Sequence, residues 1–413
     1  MIKLRRLKIN RFRNVAPGTE IVFADGFNIL LGKNGTGKTT LLRLLEAVTR
    51  LNFFSFRDED FDLEFDCAGD ELDVHMHVGN RRGADVPTDL GMQVPGLERG
   101  RPGFVSTVRA DLVFGPADKR INAIIETAEG RTTTQIGAEV LPHPSPALPT
   151  SAFFSLELLM LLRARFPKPR ASLLLYWRES RRFDESLGFY DFIKEEKFSL
   201  FPEGLPLPPN HWISLAHNLV FSGEDAKEPK QPILSFNAES LPMLDAVRLA
   251  LGTRSVELQL TLLSSEPSGS ASYGNLRFWL TRRDGSQYGD ELLSYGQKRL
   301  LSFLYYLEAN QEIVIADELV NGLHHDWIDL CVKGIGKRQA FLTSQNPLLM
   351  DYTEFDSADE VRRSFILCEL AYEGDTQRLL WRNMTEGEAQ GVFEAGEVGI
   401  EHMGTILRNQ GLW

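Results

Sequence analysis

Residues 32–39 read GKNGTGKT, and the apolar run EIVIADE at 312–318 ends in two carboxylates, Asp317 and Glu318. The first stretch carries little side chain, which suits a main chain that must wrap a polyphosphate with its N–H groups turned inward. Its spacing, G-x-x-x-x-G-K-[ST], assigns candidate roles. Lys38 reaches the β- and γ-phosphates, the Thr39 hydroxyl coordinates Mg2+, and Thr40 bonds a phosphate oxygen, while Gly32, Asn34, Gly35, Thr36 and Gly37 complete the nucleotide-binding wall. Asp317 is a candidate magnesium ligand, and Glu318 is a candidate for orienting and deprotonating an attacking water. Taken alone, the two acids could equally open a helix and complement its dipole.

A third stretch, LSYGQKRLLSFLYYLEA from Leu293, sets Ser294 and Gly296 just ahead of a helix whose Leu300, Phe303, Leu304 and Leu307 share one face. A serine and bare amides at a helix start can hold an anion, although by themselves they describe an ordinary N-cap.

These groups need elements to hold them. IKLRRLKINRF and TEIVFADGFNILL read as two strands joined by a turn at Pro17 and Gly18, and they lead into the glycine stretch. After it, Leu41, Leu44, Leu45 and Val48 mark one apolar helical face. EIVIADE has the length of a buried parallel strand. Alternating runs at 60–136 predict an antiparallel sheet, and 140–254 reads as a mixed, largely helical insertion opened by LPHPSPALPTS. SVELQLTLLSS and NLRFWLTRRDG return to strand periodicity, and the remaining chain alternates helix and strand as an α/β layer does. The expected organisation is therefore an N-terminal lobe at 1–139, the insertion at 140–254 and a C-terminal lobe at 255–413.

Of the 413 residues 43% are hydrophobic and 25% charged, and no apolar run reaches the ~20 residues that a spanning helix needs. The start MIKLRRLKIN lacks the apolar block of a secretion signal, so the expected location is the cytoplasm, without membrane attachment. Cys67, Cys331 and Cys368 form no metal-ligand pattern and read as reduced core thiols. A net charge of −12 argues against a uniformly basic surface, although basic clusters occur, among them Arg5 with Arg6, Arg81 with Arg82, and Arg181 with Arg182. His75 and His77 share a strand face without an evident third metal ligand.

In this order, GKNGTGKT, LSYGQKR and IVIADE resemble the Walker A, signature and Walker B motifs of ABC-type ATPases. LKINRFRN at the start, DELVNGLH after Walker B and LTSQNPLLMD further on are most similar to the RecF, SMC and OLD-like (AAA15) branch. The resemblance is strong over 1–60 and 255–350 and implies an α/β P-loop NTPase of the ABC-head type, with ATP and Mg2+ as ligands. It also implies that two copies sandwich ATP, so that Ser294, Gly296 and Gln297 of one chain contact the γ-phosphate held by the other.

Two departures carry meaning. The switch loop of such proteins usually holds a histidine, but TSQNP places Gln345 there, and an amide neither becomes cationic nor exchanges a proton near neutral pH. Slow hydrolysis is expected, with Gln345 beside the catalytic Glu318 and Lys38. The position after Walker B often held by aspartate is His324, as in many OLD-like relatives. A Q-loop glutamine has two candidates, Gln93 and Gln135. About 60 residues follow TSQNP, too few for the Toprim nuclease of OLD enzymes, so a separate effector protein, as in antiphage defence, is the expected partner. The alternatives are a RecF-like clamp that closes on DNA through the basic clusters, and a scaffold that binds ATP without turnover.

Overall fold

A computed structural model describes residues 2–50, 52–56, 58–70, 72–82, 104–114, 120–128, 131–141, 182–184, 188–195, 198–200, 231–265, 271–310, 312–399 and 401–413. The chain forms two compact units, one made of Met1–Ser180, Gln339–Thr343 and Thr353–Trp413, the other of Arg181–Arg338 and Ser344–Tyr352. Much of the expected 140–254 insertion, including 142–181 and 201–230, lies outside the described residues, as does Gln93.

In the first unit, β1 (Lys3–Phe12), β2 (Thr19–Val22), β4 (Phe61–Gly69), β5 (Leu72–Arg82), β6 (Phe104–Phe114), β7 (Ile121–Ala128), β8 (Arg131–Ile136) and β9 (Glu139–Leu141) make an antiparallel sheet in the order β2-β1-β4-β5-β6-β7-β8-β9. The alternation expected for 60–136 is clearest in β4, where Phe61, Leu63, Phe65 and Cys67 are buried in turn. A second layer has parallel β17 (Gln339–Thr343), β3 (Phe27–Leu31) and β18 (Phe365–Glu373), followed by antiparallel β19 (Thr376–Asn383). Every residue of β17 is buried, as in strands covered on both faces. Helix α1 (Lys38–Arg50) buries Leu41, Leu44, Leu45 and Val48, and also Leu42 and Ala47. Each such leucine contributes about 1.5–3 kcal/mol. Helices α6 (Ala358–Ser364), α7 (Glu386–Val398) and α8 (Met403–Asn409) complete the unit.

TEIVFADGFNILL does not form one strand. It divides into β2 and β3, which belong to different sheets. The cause is the fully buried Asn28, whose Oδ1 accepts from the Ala24 N–H at 2.8 Å while its Nδ2 donates to the carbonyls of Ala24, Gly26 and Ala340. Gln339, also fully buried, bonds Leu4 through both N–H and C=O and donates to Ala24 O. Two buried amides thus satisfy the backbone groups freed where the chain changes sheet.

In the second unit, β10 (Arg182–Phe183) pairs in parallel with β16 (Ile313–Ala316). Strands β11 (Phe198–Leu200), β12 (Ile233–Phe236), β13 (Ser255–Ser265), β14 (Ala271–Thr281) and β15 (Gln287–Gly289) pair antiparallel around β14 and β13. The helices are α2 (Gly188–Glu195), α3 (Pro242–Leu251), α4 (Tyr295–Ala309) and α5 (His325–Ile335). All four residues of β16 are buried, and Leu300, Phe303, Leu304 and Leu307 of α4 face the core as their spacing predicts.

Candidate active site

The glycine stretch occupies the turn from β3 into α1, within the first unit. Its glycines are required by contact as well as by conformation. Gly32 has φ +150°, and a Cβ there would lie 2.2 Å from the Cys368 carbonyl oxygen. Gly37 has φ +85°, and a Cβ would meet Leu379 Cδ1 at 2.9 Å and Trp381 Cζ2 at 3.0 Å. The loop therefore lies flat on β18 and β19, and the Trp381 indole N–H donates to Thr36 O at 3.0 Å. Lys38 is buried and donates to Gly32 O at 2.6 Å and Lys33 O at 3.1 Å, while Thr36 Oγ1 donates to Lys33 O at 2.8 Å. Asn34, Gly35 and Thr39 are exposed, and Thr40 is half-buried. A cationic side chain folded into a bare-amide loop at a helix N-terminus fits a polyphosphate, and the open Thr39 hydroxyl is a hard oxygen donor of the kind Mg2+ takes.

The acidic pair belongs to the second unit. Asp317 follows β16, is 6% exposed, donates its N–H to Phe183 O at 2.7 Å, and its Oδ2 takes a 3.1 Å ion pair from Arg182 Nη1. Glu318 is 5% exposed and has φ +52°, a left-handed conformation that costs a side-chain-bearing residue on the order of 1–2 kcal/mol. Its Oε2 accepts from the Gln345 backbone N–H at 2.8 Å and from Asn321 Nδ2 at 3.3 Å. Its carbonyl accepts from Arg299 Nη2 at 2.6 Å. Arg299 is 1% exposed, also reaches Asp184 O at 2.9 Å and Leu319 O at 3.4 Å, and lies over the Phe183 ring. One guanidinium thus fixes the backbone that delivers Glu318. The carboxylate is held by N–H donors and can accept a proton from a water placed against its remaining lone pairs.

Ser294 is the N-cap of α4, and the cap is reciprocal: Gln297 N–H donates to Ser294 Oγ at 3.4 Å and Ser294 N–H to Gln297 Oε1 at 2.9 Å. Gly296 is needed because a Cβ would lie 2.5 Å from Gly322 O, so the helix start rests on the loop after Glu318. Just upstream, the fully buried Asp290 accepts from Phe278 N–H at 3.2 Å, from Lys194 Nζ at 2.6 Å and from the Tyr190 hydroxyl. Burial and the bond to Asp290 push the Tyr190 phenol well above its ordinary range.

Gln345 is exposed, and its main chain rather than its side-chain amide meets Glu318. His324 caps α5 and its ring accepts from Asp326 N–H at 3.4 Å, while His325 bonds the Tyr352 hydroxyl at 2.6 Å. Gln135 lies in β8 and donates to Gly137 O at 2.9 Å. His75 and His77 bond Asp66 and Asp62 on the neighbouring strand, at 2.5 and 3.0 Å. All three cysteines are buried and none is in a disulfide, and burial pushes the Cys368 thiol up to about 12.

The basic clusters are largely neutralised where they are described. Arg5 pairs with Asp25, Arg6 with Asp66 at 2.5 Å, Arg81 with Asp62 at 3.4 Å, and Arg182 with Asp317. Arg181 and the Arg82 side chain lie outside the described residues. No described helix is long and apolar enough to cross a membrane.

Sequence reasoning missed Arg299, Trp381 and Asp290, and it placed Arg182 only in a basic cluster. A charged residue directly before the apolar stripe of α4 was the available signal for Arg299; Trp381 and Asp290 left none.

Residues 2–80 match the model of the AAA ATPase domain family AAA_15. The DNA replication and repair protein RecF of Vibrio parahaemolyticus is 32% identical over 93 residues, which are 22% of this chain and 25% of that protein. RecF of Aliivibrio fischeri is 31% identical over the same shares, so the match spans about a quarter of the length of these relatives. Among solved structures, the Smc head domain of Pyrococcus furiosus with an extended coiled coil, bound to the C-terminal domain of ScpA, is 12% identical with a TM-score of 0.43, covering 96% of this chain and 100% of that one. The SMC head domain of Thermotoga maritima is 11% identical with a TM-score of 0.37, covering 93% and 99%.

Proposed function

Starting from an AAA_15-type ATPase segment at residues 2–80, we propose that this protein binds ATP with Mg2+, hydrolyses it slowly, and self-associates around the bound nucleotide to regulate a separate effector protein. Lys38 and the loop from Gly32 to Thr40 grip the phosphates, Thr39 and Asp317 serve the metal, and Glu318 activates water. Ser294, Gly296 and Gln297 serve the nucleotide of a second copy. The effector role, with antiphage defence as its setting, comes from the sequence resemblance.

The observation that carries this reading is the loop ahead of α1, where Gly32 and Gly37 have no room for a side chain and Lys38 is folded inside. Self-association draws support from the surface beside Ser294, where Leu292 and Tyr295 are 68% and 48% exposed, an apolar pair that gains from being covered. The test is ATP binding, phosphate release and solution mass for the wild type, Lys38→Ala and Glu318→Gln. Lys38→Ala should lose nucleotide; Glu318→Gln should keep it, stop turnover and persist as an ATP-bound assembly. A wild type that binds ATP without releasing phosphate, and whose mass Glu318→Gln leaves unchanged, would leave only a non-catalytic ATP scaffold; wild-type turnover in Glu318→Gln would remove Glu318 from the catalytic role.

The RecF similarity favours a second reading, an ATP-dependent DNA clamp. The acidic partners of Arg5, Arg6 and Arg81 weigh against it, because paired guanidinia have less charge to offer phosphates. Duplex affinity that appears only with ATP and falls steeply with salt would establish that reading.

A further inference from the structure

The ion pair between Arg182 and Asp317 plays no part in the scheme above. Its geometry is built rather than incidental. Strand β10 places Arg182 opposite Ile315 and Phe183 opposite Ala316, Asp317 N–H extends that ladder to Phe183 O at 2.7 Å, and Arg299 ties Asp184 O and Glu318 O together just beyond it. The Arg182 guanidinium is thereby delivered to Asp317 Oδ2 at 3.1 Å, with side-chain exposures of only 17% and 9%. A carboxylate that deeply placed needs a cation nearby. A guanidinium and a divalent ion on the same small carboxylate repel each other strongly in such surroundings, so one must give way to the other.

We propose that Arg182 is the resident counter-cation of Asp317, and that Mg2+ displaces it when the metal takes up that carboxylate. Arg182 is then a positioning residue: it holds the Asp317 carboxylate in place before metal arrives, and its departure couples metal binding to the end of β10. The inference rests on the reading of Asp317 as a magnesium ligand.

The experiment measures Mn2+ affinity by electron paramagnetic resonance on the full chain, with a non-hydrolysable ATP analogue present, for the wild type, Arg182→Met, Arg182→Gln, Arg182→Lys and Asp317→Asn. Both neutral Arg182 variants should bind Mn2+ more tightly, by roughly tenfold, because the metal no longer has to displace a competing charge. Arg182→Lys should stay near the wild type. Without metal, both neutral variants should melt lower than the wild type, and saturating Mn2+ should close that gap. Either neutral variant, folded, binding Mn2+ as the wild type does or more weakly would overturn the exchange. If Asp317→Asn also left Mn2+ affinity unchanged, the metal assignment would fall with it; if Asp317→Asn lost the metal, only the role of Arg182 would fall.

Discussion

The Gln345 backbone N–H donates to Glu318 Oε2 across 2.8 Å, joining the residue expected to activate water to the loop expected to sense phosphate. The bond uses no atom of the glutamine side chain. Any residue but proline at 345 therefore keeps it, whereas a switch role would depend on the side chain there.

The expected turnover order follows. Gln345→Ala keeps the backbone donor and should hydrolyse ATP within about threefold of the wild type, and Gln345→His should be no slower than the wild type. Glu318→Gln removes the proposed base and should cost about 10²–10⁴ in rate. Single-turnover phosphate release measures all three, and a marked loss in Gln345→His would remove Gln345 from the switch role.

Gly37→Ala tests the close seating of the loop. The added methyl meets Leu379 and Trp381 at 2.9 and 3.0 Å in a backbone that already has φ +85°. A destabilisation of about 2–3 kcal/mol is expected from overpacking and strain together. Urea unfolding reads the stability, and nucleotide titration of the folded fraction should show weaker binding. Gly35→Ala has equal φ but nothing within 4 Å, so its cost should be the smaller, from strain alone.

Arg299→Lys separates charge from geometry. A lysine keeps the cation but cannot span Asp184 O, Glu318 O and Leu319 O, which the guanidinium reaches at 2.9, 2.6 and 3.4 Å. Lost charge-assisted bonds in a buried place should cost about 3 kcal/mol. Because the Glu318 backbone moves with them, phosphate release should fall more than ATP affinity does.

Several of the elements that carry the candidate site were legible in the sequence. Periodicity gave α1 and the buried face of α4, and a continuous apolar run gave β16. Those signals are local, carried by residues within a turn or a strand of one another. What escaped depends on distant partners. Trp381 serves the loop from 345 positions away, and Asn28 splits an apparent single strand by bonds that include Ala340. Arg182, grouped by composition with surface arginines, is committed to Asp317 by a two-residue strand too short to show any pattern.

The strand that bears Trp381 also carries an acid-sensitive support. Arg382 grips Glu388 at 2.7 and 2.9 Å and Glu369 at 3.1 and 3.2 Å, and Glu388 Oε2 accepts from Thr385 N–H at 2.7 Å. The hydrogen bond from Arg382, with those from Thr385, holds the Glu388 carboxyl down at about 2, against an ordinary 4.5. A carboxylate lowered on folding stabilises the folded state fully above its unfolded value and loses that contribution as pH falls through the folded one. The window is therefore pH 4.5 down to about 2. Glu388→Gln keeps a cap acceptor but removes the charge. Near pH 7 it should be less stable than the wild type by about 1–2 kcal/mol, after allowance for solvent screening of a partly exposed group. The two proteins should converge as the pH approaches 2, because protonation then does to Glu388 what the substitution does permanently. Urea denaturation at several pH values reads the difference, and a gap that did not narrow in acid would show that Arg382 does not hold Glu388 ionised.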